Sequence, residues 1–191
     1  MYPRKTITMA AFAAVLALFL FSPLPAAGDG FQGWFPTYRL EGAWLVVNPA
    51  VGIRGLETLI PQDLLGRKAT IQLESLSADP TVGGFFPDAD YLSLGVGEAV
   101  MTGPKTFKST IVAYSMREED PRDEIECIWV ITSSSTFTGH RSQEATASFA
   151  IYLPSADQNG DLLPDAGAVP IVCIPLPFNA ERVPMMPPCE P

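Results

Sequence analysis

Apolar and polar residues alternate with a period of two along several segments of this chain. The clearest segment is 68–74, in which every second residue is apolar and the residues between are polar or charged. Segment 144–152 alternates in the same way, and segment 125–131 is largely apolar on both faces. A period of two places successive side chains on opposite faces of a strand. These segments therefore predict strands with at least one buried face.

Further segments have strand-like composition and lie a short distance apart. They are 38–47, 92–102, 106–116, 133–139 and 169–174. Turn-forming pairs such as Gly103-Pro104 and Asn159-Gly160 lie between the strand-like segments. About eight short strands with such turns are typical of a barrel or a sandwich. The sequence thus predicts an all-β fold, a single antiparallel up-and-down β-barrel, with one short helix allowed at 55–65 between the first two strands.

The N-terminal segment differs from the rest of the chain. Arg4 and Lys5 precede an apolar run over 7–21, and prolines and small residues follow it. The run has about 15 residues, whereas a membrane span needs about 20. This layout is typical of a secretory signal peptide.

We therefore expect a signal peptide over 1–27, cleaved near Ala26, Ala27 or Gly28. The barrel would follow over 28–183, and a proline-rich tail over 184–191. We expect a periplasmic or secreted protein, with no stable membrane insertion after cleavage.

The charge of the chain limits its partners. The sequence has 12 Lys and Arg residues against 21 Asp and Glu residues, a net charge of −9. Nucleic acids bind to clustered basic residues, which release counterions from the phosphates. We therefore expect no nucleic-acid partner.

Three cysteines, Cys127, Cys173 and Cys189, lie in the predicted exported part. An oxidising compartment would allow one disulfide and leave one thiol free. All three pairings are open, and we favour Cys173–Cys189 because it would attach the tail to a strand. A loop of about 15 residues closed in this way is worth about 3 kcal/mol in the chain-entropy account.

One loop has the spacing of a calcium-binding turn. Acidic or amide side chains lie at three alternate positions, and a fourth acid follows four residues later. They are Asp157, Asn159, Asp161 and Asp165. Calcium prefers six to eight oxygen ligands, and such a turn offers several. The loop departs from the EF-hand pattern, because Leu162 replaces the turn glycine. The alternative is an Asn-Gly hairpin with solvated acids, and we expect no other cofactor.

Gly42 and Trp44 stand at the start of the first predicted strand, and Arg182 follows the last. A Gly-x-Trp motif at this place resembles the lipocalin signature. The segments 95–100 and 107–114 resemble small secreted bacterial lipocalin-like domains. The resemblance implies a calycin-type barrel in which the tryptophan closes one end and the arginine packs across it. Such a stack contributes about 0.5–2 kcal/mol. Alternatively, Trp44 is an ordinary core aromatic.

Barrels of about eight strands are either filled by side chains or leave room for one ligand. We expect an exported lipocalin-like barrel that binds a small hydrophobic molecule and is not catalytic. The candidate wall residues are Trp44, Phe107, Ile111, Trp129 and Phe149. The candidate lid residues over the open end are Phe85, Phe86 and Tyr91.

Two other functions stay open. A filled barrel could present 85–90 or the tail to an unknown protein partner. A small barrel enzyme, an isomerase or a hydrolase, would need an acid of raised pKa inside the barrel, for which Glu98 and Glu126 are candidates. The sequence contains one histidine, His140, at a predicted turn, and no motif that assigns catalytic residues.

Overall fold

The computed structural model describes residues 38–50, 52–119 and 122–184 of the chain. Nine strands form in this part. They are β1 (Gly42–Val47), β2 (Arg54–Pro61), β3 (Lys68–Ser75), β4 (Tyr91–Leu92), β5 (Gly95–Met101), β6 (Thr106–Arg117), β7 (Glu124–Gly139), β8 (Ser142–Tyr152) and β9 (Val172–Arg182). Among these residues there is no helix long and apolar enough to span a membrane.

The strands form a closed antiparallel barrel. Neighbours in the chain pair with each other, and β9 returns to pair with β1, with Trp44 opposite Arg182. The short β4 and the longer β5 both lie along β6, so they occupy one position in the barrel. The result is an eight-stranded all-β barrel, as the strand pattern predicts. Closure leaves no unpaired sheet edge in the ring, which protects such folds from edge-to-edge association.

The prediction that residues 55–65 could form a short helix is wrong. Residues Arg54–Pro61 form β2, which pairs with β1 on one side and with β3 on the other. The helical element in the described part is a single 3₁₀ turn, Pro154–Ala156. Pairing on both sides of β2 decides its conformation, because tertiary context overrides the weak local propensity of a short segment.

Two groups of buried side chains pack the barrel. One lies around Trp44 and includes Leu59, Phe107 and Phe137. The other lies around Trp129 and includes Phe86, Ala113 and Ile151. We call the region around Trp44 the closed end of the barrel, and the region around Phe86 the capped end.

The predicted Cys173–Cys189 disulfide is not formed in the structure. Cys173 is free and exposed on β9, and Cys127 is free and buried. Cys173 alternates with the cavity-lining Ile174, so its thiol is on the outer face. Burial raises the pKa of the Cys127 thiol, which keeps it protonated and unreactive.

Several predictions fall outside the described residues. They are the signal peptide over 1–27 with its cleavage site, Cys189, and all but the first residue of the tail over 184–191.

Candidate functional site

The barrel interior contains a cavity of about 260 Å³, lined by residues from every strand of the ring. Most of its wall is apolar. The larger apolar side chains are Val46, Leu73, Ile111, Trp129, Ile131, Phe149, Ile151, Leu176 and Phe178. Such an apolar wall suits a ligand whose transfer from water is driven by the hydrophobic effect.

Small residues on the inner face leave the room for this cavity. Ala145, Ala147 and Ala180 occupy inward positions on β8 and β9 where larger side chains would fill the space. A Cβ added at Gly95 would lie 2.8 Å from Ile111 Cγ2, so β5 lies close to a side chain of the neighbouring strand β6. The cavity is therefore a consequence of residue size on alternate strand positions.

Aromatic side chains fill the closed end, and Arg182 packs across them. The Arg182 guanidinium carbon lies 5.9 Å from the centroid of the Trp44 ring, which is 1% exposed. Trp44 contacts Phe137 at 5.7 Å between ring centroids, and Phe137 contacts Phe107 at 5.3 Å. The φ of Gly42 is +101°, and a Cβ there would lie 2.9 Å from Arg182 Nε. Glycine is thus required both by the backbone and by the guanidinium beside it.

Glu57 and Gln143 bring two polar side chains into the cavity from β2 and β8. The Gln143 side chain is close enough to the Glu57 carboxyl to lower the pKa of that group by hydrogen bonding. Oε1 of each side chain is buried and has no hydrogen-bond partner. An unpartnered buried acceptor costs about 1–3 kcal/mol, which a ligand that donates a hydrogen bond would recover.

Burial raises the pKa of Glu57 to about 7, against the smaller lowering effect of the Gln143 hydrogen bond. Glu57 forms no ion pair with any described residue. Its accessible surface is intermediate because it faces the cavity rather than close-packed side chains. A carboxyl in this position changes its charge near neutral pH.

Serine hydroxyls continue the polar surface around the inner wall. Ser109 and Ser133 are 2.7 Å apart between their Oγ atoms, and Ser133 and Ser135 are 3.4 Å apart. Ser135 is diagonal to Gln143 across the β7–β8 pair. We call Glu57, Gln143 and these three serines the polar belt; it crosses an otherwise apolar wall.

The segment 78–90, here called the cap, lies against the capped end. Trp129 Nε1 donates to Ser115 Oγ at 2.8 Å, and Ser115 Oγ donates to the Pro80 carbonyl at 2.7 Å. Val82 lines the cavity with a φ of 55°, a backbone conformation that is strained for a β-branched residue. The cap therefore forms part of the cavity wall.

The structure divides the predicted binding residues into three groups. Ile111, Trp129 and Phe149 line the cavity. Trp44 and Phe107 pack at the closed end and do not themselves line the cavity. The predicted lid residues Phe85, Phe86 and Tyr91 do not line the cavity either.

The three lid candidates have different environments. Phe86 is 8% exposed and packs beside Trp129, whereas Phe85 is 71% exposed. The Tyr91 hydroxyl donates to the Asp123 carboxylate, outside the barrel. The cavity-facing positions of the cap belong instead to Ala78, Asp79 and Val82.

Sequence reasoning missed the polar belt. The prediction of a helix over 55–65 hid the inward position of Glu57. The two acids that the sequence offered lie elsewhere: Glu98 is exposed, and Glu126 lies 3.3 Å from Arg117. The run Ser133–Ser135 in a predicted strand was the one available signal of a polar inner surface.

The loop with calcium-like spacing is held by its own hydrogen bonds. Asp157 accepts from the backbone amides of Gly160, Asp161 and Leu162. Asp165 accepts from the backbone amide of Gln158 and from Asn159 Nδ2. No group of three or more His, Cys, Asp or Glu side chains suited to a metal occurs among the described residues. Calcium binding here stays a prediction.

Comparison with known proteins assigns no family to this chain. No family model, curated protein or solved structure matches this sequence. The closed eight-stranded antiparallel barrel is consistent with a calycin-like fold.

Proposed function

We propose that the barrel binds one small, mainly apolar molecule in its interior cavity. The cavity of about 260 Å³ carries this proposal. A cavity of about 150 Å³ accepts a benzene molecule, so this one has room for on the order of ten non-hydrogen atoms. Burial of each CH₂ group in such a site contributes about 0.8 kcal/mol.

The proposal includes a lipocalin-like origin and an exported location. The contact between Trp44 and Arg182 beside Gly42 supports the lipocalin-like origin. The basic and then apolar start of the chain supports export. We propose that the exported barrel carries or sequesters its ligand.

A proton-transfer enzyme is the second candidate function. Glu57 in an apolar cavity has a pKa of about 7, which suits a general acid or base. Gln143 and the serines could orient a substrate beside it. If wild type converts a bound ligand into a product and Glu57→Gln abolishes that turnover, the enzyme would be favoured over the carrier.

Ligand binding is tested by a substitution that places a larger side chain in the cavity. Ala147 is 6% exposed and lines the cavity, so Ala147→Phe should fill the space and abolish binding. Ala150 is on the same strand but faces outward, opposite Val130. Ala150→Phe is therefore the matched control and should bind as the wild type does.

Binding of nonanol to the three proteins is measured by isothermal titration, with thermal unfolding as the check on folding. If Ala147→Phe unfolds, Ala145→Val gives a smaller reduction of the same cavity. Saturable binding to wild type that both inward substitutions leave unchanged would contradict the proposal.

A further inference from the structure

We infer that the ligand has an apolar body and an alcohol or amine at one end, and that this hydrogen-bond-donating end binds to Glu57 and Gln143. The inference rests on the proposed function, because it assigns chemistry to the ligand of the same cavity. It adds the polarity of the ligand and the orientation in which it enters the barrel.

The unpartnered atoms of the polar belt determine this polarity. Glu57 Oε1 and Gln143 Oε1 are both acceptors, both buried and both without a partner. The Trp44 Nε1 donor is also buried without a partner, but Trp44 does not line the cavity. The serine hydroxyls can donate or accept and so do not exclude a donor. The unpartnered atoms that face the ligand are therefore acceptors, which bind hydrogen-bond donors.

The charges that line the cavity favour the same class of ligand. They belong to Glu57 inside and to Arg54 and Asp79, which are both exposed. None of these residues forms an ion pair with Glu57. An ammonium group would provide both a donor and an opposite charge for the carboxylate, while an alcohol would provide the donor alone. A carboxylate ligand would be repelled by ionised Glu57.

The apolar wall holds the other end of the ligand. The side chains Ile111, Phe149 and Leu176 line the cavity and offer no hydrogen-bonding group. A polar group placed against these three side chains would be buried and unpaired, which costs free energy. This part of the wall thus favours a ligand with an apolar body, whose polar end lies at Glu57 and Gln143.

The test uses five compounds of equal size, each with about ten non-hydrogen atoms to match the cavity. They are decane, octyl methyl ether, nonanol, nonylamine and octanoate. At pH 8 we expect nonanol and nonylamine to bind about tenfold more tightly than the ether and decane, and octanoate to bind most weakly. Displacement of an uncharged fluorescent probe from the full chain reports all five affinities.

Glu57→Gln tests the assignment of the site. This variant keeps the shape of the side chain but loses the charge and gains an amide donor. We expect nonylamine to lose about tenfold in affinity, nonanol to change less than threefold, and the ether to gain. Glu98→Gln removes the same charge from an exposed position on β5 and should change none of the five.

The outcomes separate this inference from the proposed function. Equal affinities for decane, the ether and nonanol would overturn the inference and leave an apolar-ligand barrel. Tighter binding of the ether than of nonanol would reverse the polarity and would also overturn it. Absence of binding by all five would overturn the proposed function itself. Circular dichroism and thermal unfolding of both variants ensure that affinities are compared between folded proteins.

Discussion

Among the described strand residues that line the cavity, Glu57 is the only acid. Glu57 occupies a cavity-facing position opposite Trp44 on β1 and Leu73 on β3. Every other cavity-facing residue near it is apolar, small or uncharged, apart from the groups at the cap side. Its carboxyl is therefore desolvated without a compensating cation, which has consequences for stability as well as for binding.

Wild type should lose stability as pH rises from about 4.5 to above 7. Burial raises the pKa of Glu57 from 4.5 to about 7, so in this window the folded protein binds a proton that the unfolded chain has released. The contribution of Glu57 to the free energy of unfolding is therefore largest below pH 4.5. It falls by up to about 3 kcal/mol as the pH rises above 7. Urea unfolding of wild type and Glu57→Gln measures the difference.

The stability difference between Glu57→Gln and wild type should increase across this pH window in favour of the variant. A difference that is constant from pH 4.5 to pH 8 would show that Glu57 titrates normally. Comparison of the two proteins removes the contribution of the other acids, which titrate in both.

Arg182→Ala should destabilise the closed end by about 0.5–2 kcal/mol, through loss of its stacking on Trp44. Arg141→Ala is the control, since Arg141 is exposed in the turn between β7 and β8. Urea unfolding measures both variants, and equal effects would mean that the stack contributes nothing beyond a surface charge.

At the scale of the element, the sequence identifies strands whose inner face is apolar and misses those whose inner face is not. Strand β3 alternates cleanly, with Ala69 and Ile71 fully buried, and it is predicted correctly. Strand β2 departs from the pattern, because Glu57 faces the cavity while Ile60 is 45% exposed. Hydrogen bonds to two neighbouring strands fix its conformation, and that pairing is not visible in local sequence.

Strand β5 depends on a close approach to β6 at one glycine. A Cβ at Gly97 would lie 1.8 Å from the Thr110 carbonyl oxygen and 2.8 Å from Ile111 Cα. Gly97→Ala should therefore displace the strand and cost at least about 2 kcal/mol, a typical cost of overpacking. Val96→Ala on the outer face, where Val96 is 48% exposed, should cost less than about 1 kcal/mol. Similar effects from both changes would contradict the close approach.

At the scale of the whole molecule, strand number and spacing suffice to predict the barrel but not its contents. Ile111, Trp129 and Phe149 could be placed on inner faces because alternation alone determines their side. The pairing of Glu57 with Gln143 could not be predicted, since β2 and β8 are separated by β1 and β9 in the ring. The position of the cap also depends on contacts distant in sequence, such as Ser115 with Pro80.

Native mass spectrometry of the full chain, before and after incubation with nonanol, tests the central claim most directly. A cavity of about 260 Å³ predicts one bound molecule per chain, observed as a single added mass that denaturation removes. The same experiment on Ala147→Phe should show the bare chain. An unchanged mass for wild type at saturating nonanol, or several additions that the variant shares, would contradict a single binding site inside the barrel.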